Sequence, residues 1–409
     1  MSQTGMFALL GAMLVLGFLA NRAFQITRVP DPIVLMIAGV LAGPVLHLVG
    51  ENAFQPVINV FGTLALLLVL FEGGLELNVR ETMRHFPGGF VLAFLGFVMS
   101  AGMVALVARF AITGMGWSGA LLIGAVLGCT SSTVVLPILQ QVRVHDSTRV
   151  VLLVESSLAD VIAVVGVGIL VDVTSLGGAL LGSLLGGFLS KVLISLVTGG
   201  VAGFLWSRVL PRLLRARFWY VLTFGAVLLV YAGTRSIGGS GLIAVLCFGV
   251  TLGNIRPVTR TLADAAASER LSKEAYLQVL AFHSELGFLI RTFFFFVLGT
   301  LVQLADAELL VAALGMFAAI VVARALAVQA SRWSWQVPRE DRSLVFFMMP
   351  RGLVTAVLAV QVIEARGADF EWLSPIVFLI ILLTSAVVVL GTWRASAAQA
   401  GLASTAPTL

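Results

Sequence analysis

Long apolar blocks run the length of this chain, divided by short polar connections that carry most of the arginines. About 20 mostly apolar residues suffice for one helix to cross bilayer hydrocarbon. The pattern predicts thirteen helices, at roughly 6–22, 31–49, 56–78, 87–110, 117–140, 148–172, 178–206, 217–234, 240–255, 275–302, 308–331, 342–364 and 372–394. With 59% hydrophobic and 11% charged residues, the class is an all-α polytopic membrane protein rather than a soluble globule.

Loop charge sets the orientation. The odd-numbered loops hold seventeen Lys and Arg, and the even-numbered ones hold only Arg109, Arg235 and Arg366. The positive-inside rule then places the N-terminus outside a cell (inner) membrane and the C-terminus in the cytoplasm. The net charge of +5 is explained by these loops, so no nucleic-acid partner is expected. The first apolar block lacks a basic leader or a cleavage site, and is expected to be a helix rather than a signal peptide. The segment after Trp393 is expected to be a short polar cytoplasmic tail. The two cysteines give no disulfide framework or zinc spacing, and no cofactor is implied.

Within the predicted spans the ionisable residues are Glu72, Glu155, Asp160, Lys191, Glu285, Arg291, Arg324 and Arg351. Each is costly in hydrocarbon unless paired or wetted, and each is therefore a functional candidate. Residues 151–170, VLLVESSLADVIAVVGVGIL, carry two carboxylates five positions apart, about 140° around a helix. Asp160 shares its face with Ser156, a carboxylate–hydroxyl pair that suits a monovalent cation or a hydrogen bond to a neighbouring helix. Glu155 faces elsewhere and calls for a basic partner from another helix.

Two spans look interrupted. GAVLGCTSSTVVLPIL places Thr130, Ser131, Ser132 and Thr133 between Gly128 and Pro137, in either a broken helix or one whose hydroxyls bond back to their own turn. FFMMPRGLVTAV sets Pro350, Arg351 and Gly352 in the middle of the twelfth helix. Helices 5 and 12 lie seven apart, as do 6 and 13, which fits two inverted six-helix repeats joined by helix 7. On helix 10, Glu285 and Arg291 are badly spaced for a local pair, and His283 reads as a packing histidine or a pH sensor.

FEGGLELN in helix 3, the hydroxyl-rich helix 5, ESSLAD in helix 6, FFFFVLG in helix 10, VARALAV in helix 11 and PRGLV in helix 12 occur in order. Together they resemble the monovalent cation/proton antiporters of the NhaP and sodium/proton exchanger branch, from about residue 6 to 395. The resemblance implies an NhaA-like fold and a homodimer in membrane lipid. Residues 1–86 and 174–303 would supply the linking and interface helices, 87–173 and 304–395 the moving core, and 396–409 the tail. It also implies that Asp160 is the cation- and proton-binding carboxylate, with Ser156, Thr130 and Glu72 beside it. By the same resemblance Glu155 and Arg324 form a buried structural pair, and Arg351 supplies the charge of the second broken helix. Ser131, Glu285, Arg291 and His283 are accessory candidates.

The sequence departs from that pattern in two places. Ala159-Asp160 stands where the family commonly has Asn-Asp, and Thr130-Ser131-Ser132 where it often has Thr-Asp-Pro. The hydroxyl run is similar to the potassium efflux branch, so Na+, K+ and Li+ all stay open as the cation exchanged for H+. One exchanging carboxylate would give a 1:1 electroneutral cycle by elevator-type alternating access. A cation channel and an intramembrane hydrolase built on Ser240 and His283 are the readings from other classes. Midplane interruptions within a pseudo-repeat argue against the first, and the turn composition of Gly238-Gly239-Ser240-Gly241 against the second.

Overall fold

The computed structural model describes residues 3–27, 29–49, 55–76, 79–142, 144–175, 181–213, 218–254, 265–302, 307–334 and 337–404. Arg28, Arg143, Arg215, Arg217, Arg256 and Arg260 of the basic loops lie outside that set. Among the described residues the fold is all helical. The helices are α1 (Gln3–Thr27), α2 (Asp31–Val40, followed by a π turn, Leu41–Val45), α3 (Gln55–Glu76), α4 (Val79–Ala111), α5 (Trp117–Leu127), α6 (Ser132–Gln141), α7 (Asp146–Ser175) and α8 (Leu181–Leu213). They continue as α9 (Trp219–Ser236), α10 (Gly241–Asn254), α11 (Ala265–Thr300), α12 (Ala307–Ser331), α13 (Arg342–Phe347), α14 (Leu353–Arg366) and α15 (Leu373–Ser404).

Eight spans among the described residues are long and apolar enough to cross a bilayer, so the chain is a multi-pass membrane protein. Shorter apolar helices occupy Asp31–Val45, Val60–Leu75 and Gly241–Asn254. The predicted fifth and twelfth helices are each divided in two. α5 stops before Gly128 and α6 restarts at Ser132; α13 stops at Phe347 and α14 restarts at Leu353. Pro350 explains the second stop, because it has no N–H to donate and disfavours helix at the residue before it.

The chain forms two compact units. The first comprises Met1–Gly62, Arg84–Val171 and Arg291–Leu409 and contains both interrupted helices. Its core gathers Leu92 of α4, Val134 and Ile138 of α6, Leu152 of α7, Val328 of α12, Val345 of α13 and Val388 of α15. Within it α2 lies directly on the C-terminal part of α11. A Cβ on Gly39 would collide with the Phe296 carbonyl, and one on Gly299 with that of Met36. Small residues allow this approach, and close packing is what holds helices together in lipid. The second unit, Thr63–Met83 and Asp172–Ile290, packs Phe71, Trp219, Val227, Val245 and Phe248 into its own core.

Candidate functional site

The first unit crosses its two interruptions against each other. Ser131 N–H donates to the Pro350 carbonyl at 2.9 Å, one unwound segment bonding the other through backbone. The crossing is tight: a Cβ on Gly352 would meet Ser131 Oγ at 2.5 Å and Ser131 Cβ at 2.9 Å. Only glycine fits there. Ser131 Oγ also lies 2.8 Å from Thr133 Oγ1, and Cys129 Sγ lies 3.3 Å from Thr355 Oγ1 in α14. From α15, Thr384 Oγ1 accepts from Arg351 N–H at 3.0 Å while donating to the Ile380 carbonyl.

A helix that stops inside a membrane leaves carbonyls without partners. Arg351 meets that need at the end of α5 and within the second break. Its Nε donates to the Leu127 carbonyl at the end of α5 at 2.7 Å, and Nη1 to the Met349 carbonyl at 3.2 Å. Nη2 lies 3.4 Å from Ser100 Oγ in α4. The side chain is almost wholly buried. Its fixed positive charge therefore faces the negative end of α5.

At the opposite polarity stands Asp160, in the middle of α7 and 1% exposed. Its Oδ2 accepts from Ser132 N–H at 3.1 Å and from Ser132 Oγ at 2.6 Å. Ser132 opens α6, so the carboxylate sits on the N-terminal end of a helix whose first N–H groups have no intrahelical acceptor. Oδ1 is buried and has no hydrogen-bond partner. Thr130 and Ser156 are buried, with Ser156 Oγ bonding back to the Leu153 carbonyl at 3.3 Å. Among the described residues no three Asp, Glu, His or Cys side chains gather as metal ligands. One carboxylate among hydroxyls matches a single positive charge better than a divalent ion.

One and a half turns toward the start of α7, Glu155 lies about 140° around the helix from Asp160. Arg324 of α12 grips it bidentately at 2.6 and 3.1 Å, and both side chains are buried. The same guanidinium donates to the Val345 carbonyl of α13 through Nε at 3.2 Å and Nη2 at 2.7 Å. Three elements are thus tied by one arginine. Nearer the start of α7, Asp341 ties α13 to α7 again. Its Oδ2 accepts from Thr148 Oγ1 at 2.6 Å and His145 N–H at 3.1 Å, and lies 3.0 Å from His145 Nδ1.

Of the other candidates, Glu285, His283 and Ser240 belong to the second unit and Arg291 to the first. Glu72 belongs to the second unit, where its carboxylate lies over Gly287 of α11. Glu285 is exposed, and the Nε of half-buried Arg291 has no hydrogen-bond partner. His283 is fully buried, Nδ1 bonds the Val279 carbonyl at 2.8 Å, and the ring packs against Phe71, Phe224 and Phe282. Ser240 sits in a turn, its N–H donating to Ser195 Oγ at 2.7 Å.

Sequence reasoning passed over Ser132 and Asp341. The signal for Ser132 was present: the first residue after a helix break offers both a free N–H and, here, a hydroxyl. For Asp341 there was none, because its partners, His145 and Thr148, lie nearly 200 positions away at the start of α7.

Comparison with known proteins agrees with this architecture. The solved structure of the sodium proton antiporter MjNhaP1 from Methanocaldococcus jannaschii at pH 8 superposes with a TM-score of 0.74 over 96% of each chain. At 21% identity that likeness concerns the fold. The K(+)/H(+) antiporter NhaP of Alkalimonas amylolytica is 30% identical over 89% of this chain, which spans 60% of that relative's length. The Na(+)/H(+) antiporter 1 of M. jannaschii is 24% identical over 86% of this chain and 82% of its own. Residues 10–393 match the family described as sodium/hydrogen exchanger, transmembrane. With that match covering nearly the whole chain, and a buried carboxylate at the crossing of two broken helices, the protein belongs to the transmembrane sodium/hydrogen exchanger family.

Proposed function

We propose that this chain exchanges a monovalent cation, Na+ foremost, for H+ across the cell membrane, one for one and without net charge movement. The observation that carries the reading is Asp160: buried, with one oxygen held by Ser132 and the other free of hydrogen bonds. A bare carboxylate is expensive to keep away from water, and either a proton or a cation relieves that cost. The two loads compete for one group. Thr130 and Ser156 are the neutral oxygens that would complete a cation's shell. Because either load adds a single positive charge, the core travels with the same net charge in both directions.

The travelling part is proposed to be residues 87–173 and 304–395, moving by alternating access within a homodimer whose N-terminus is outside and C-terminus cytoplasmic. Glu72 is the next carboxylate in line to take part. A second reading, exchange of K+ for H+, is favoured by the 30% identity to a K(+)/H(+) antiporter and by the run of hydroxyls at the first break.

The test is dequenching of a pH dye in proteoliposomes titrated with Li+, Na+ and K+, for wild type and Asp160→Asn. The variant keeps shape and hydrogen-bonding capacity but has no titratable charge. It is expected to fold and to exchange none of the three; exchange near the wild-type rate would make Asp160 a packing residue and end the proposal.

A further inference from the structure

The two oxygens of Asp160 are not equivalent. Oδ2 receives two donors from one residue, the Ser132 N–H at 3.1 Å and the Ser132 hydroxyl at 2.6 Å. Oδ1, in the same carboxylate and equally buried, receives none. An ionised carboxylate has about four lone-pair sites, and the Ser132 donors use two of them on a single atom. The positive end of α6 adds to that bias, since it too lies on the Oδ2 side. Two bonds from one rigid helix start also fix the carboxylate plane, and with it the direction in which Oδ1 points.

We infer that Ser132 is a positioning residue: it pins Oδ2 of Asp160 to the start of α6, so that the exchanged load is taken at Oδ1, and the fixed place of Oδ1 discriminates cations by size. This rests on the proposed exchange at Asp160. A carboxylate free to turn can close on a small cation or open for a larger one. A pinned oxygen cannot follow, so cations of unequal radius bind with unequal affinity.

The local backbone allows a clean test. Ser132 N–H lies in the first turn of α6, outside the intrahelical ladder, and Ser131 is extended at φ −82°, ψ 120°. Proline is accepted at a first helical position, and an extended residue is what should precede it. Ser132→Pro therefore deletes both donors while α6 can still form. Ser132→Ala deletes the hydroxyl alone, and Ser132→Thr keeps both donors.

The full chain is reconstituted in proteoliposomes, and the apparent KM is measured for Li+, Na+ and K+ at one pH. The readout is the ratio of KM between the best and worst cation, taken within each preparation so that loss of folded protein cancels. Ser132→Ala is expected to flatten that ratio by about threefold or more, the size of effect one net hydrogen bond carries. Ser132→Pro should flatten it further, and Ser132→Thr should restore it. Ratios in the Ala and Pro variants equal to wild type would overturn the inference, leaving Ser132 a packing residue. A wild type with equal KM for all three cations would overturn it as well. Exchange surviving in Asp160→Asn is a different failure: it removes the site reading itself, and the positioning role with it.

Discussion

Arg324→Ala is the perturbation whose cost can be worked out most fully from the geometry. The side chain makes two charge-assisted bonds to Glu155, at 2.6 and 3.1 Å, and two to the Val345 carbonyl, at 3.2 and 2.7 Å. Glu155 is 1% exposed, so truncation strands its carboxylate away from bulk water. Breaking a buried pair from one side costs about 3–5 kcal/mol. The orphaned Val345 carbonyl, near the end of α13, holds the loss toward the upper end of that range. Spread over the unfolding entropy of a chain this long, the midpoint of thermal unfolding should fall by roughly 4–6 °C. The assay is fluorescence-detected melting in detergent, with Arg324→Ala, Arg324→Lys and the double change Glu155→Gln with Arg324→Ala. Lysine keeps the charge but cannot reproduce the fork or reach two acceptors at once, so it should fall between wild type and alanine. The double change removes the stranded charge and should recover about half of the loss, within the coupling energies that contacting residues show. If the double variant melts no higher than Arg324→Ala, Glu155 is not what Arg324 stabilises, and the pair is incidental to the fold.

Three further outcomes are expected. The cation gradient reached at equilibrium should not change when a membrane potential is clamped across proteoliposomes; a shift would mean unequal charge movement and a second exchanging carboxylate. Asp341→Ala removes the acceptor shared by His145 and Thr148 and should destabilise by about 1–3 kcal/mol, read as a lower melting midpoint, with Asp341→Asn losing less. Gly352→Ala drives a methyl into Ser131 and should abolish most exchange while helical circular dichroism is retained; a near wild-type rate would show that the crossing tolerates separation.

Much of the architecture was legible because membrane spans are written in long apolar runs and their breaks in a few unusual residues. Pro350 and Gly352 mark the second break by what they cannot do, since one lacks a donor and the other lacks a Cβ. The first break was ambiguous between an interruption and hydroxyls bonding back, and Gly128 alone could not decide it. What decides it is tertiary: Ser131 N–H finds the Pro350 carbonyl instead of one in its own turn. Helical geometry required that Glu155 and Asp160 face different ways. It did not contain the information that α6 restarts at Ser132 rather than one residue earlier or later, and that single register choice selects which of four hydroxyls meets Asp160. The Asp341 contacts were beyond reach for a simpler reason. Loop ends carry no periodic pattern, and two of them meet only because the helices they precede are packed together.

The arrangement of charge explains why one carboxylate can do the exchanging in the proposed cycle. Glu155, Arg324, Arg351 and Asp160 are buried near the interruptions, and the first three are already answered. Arg324 and Glu155 cancel each other at contact distance. Arg351 is answered by the Leu127 carbonyl at the end of α5, where the partial negative charge of a helix end accumulates, and by the Met349 carbonyl in the second unwound segment. Neither balance needs a mobile ion, so neither has reason to change in the proposed cycle. Asp160 differs in kind: the start of α6 and the Ser132 donors answer only one of its oxygens. The unanswered oxygen is the place where adding H+ or a cation changes the charge of the interior by the same single unit. Equal charge in both loaded forms is what makes the cycle electroneutral, and it depends on the other two balances staying closed. An electrogenic result would therefore direct attention away from Glu155 and Arg351, whose charges are locked in contacts, and toward Glu72.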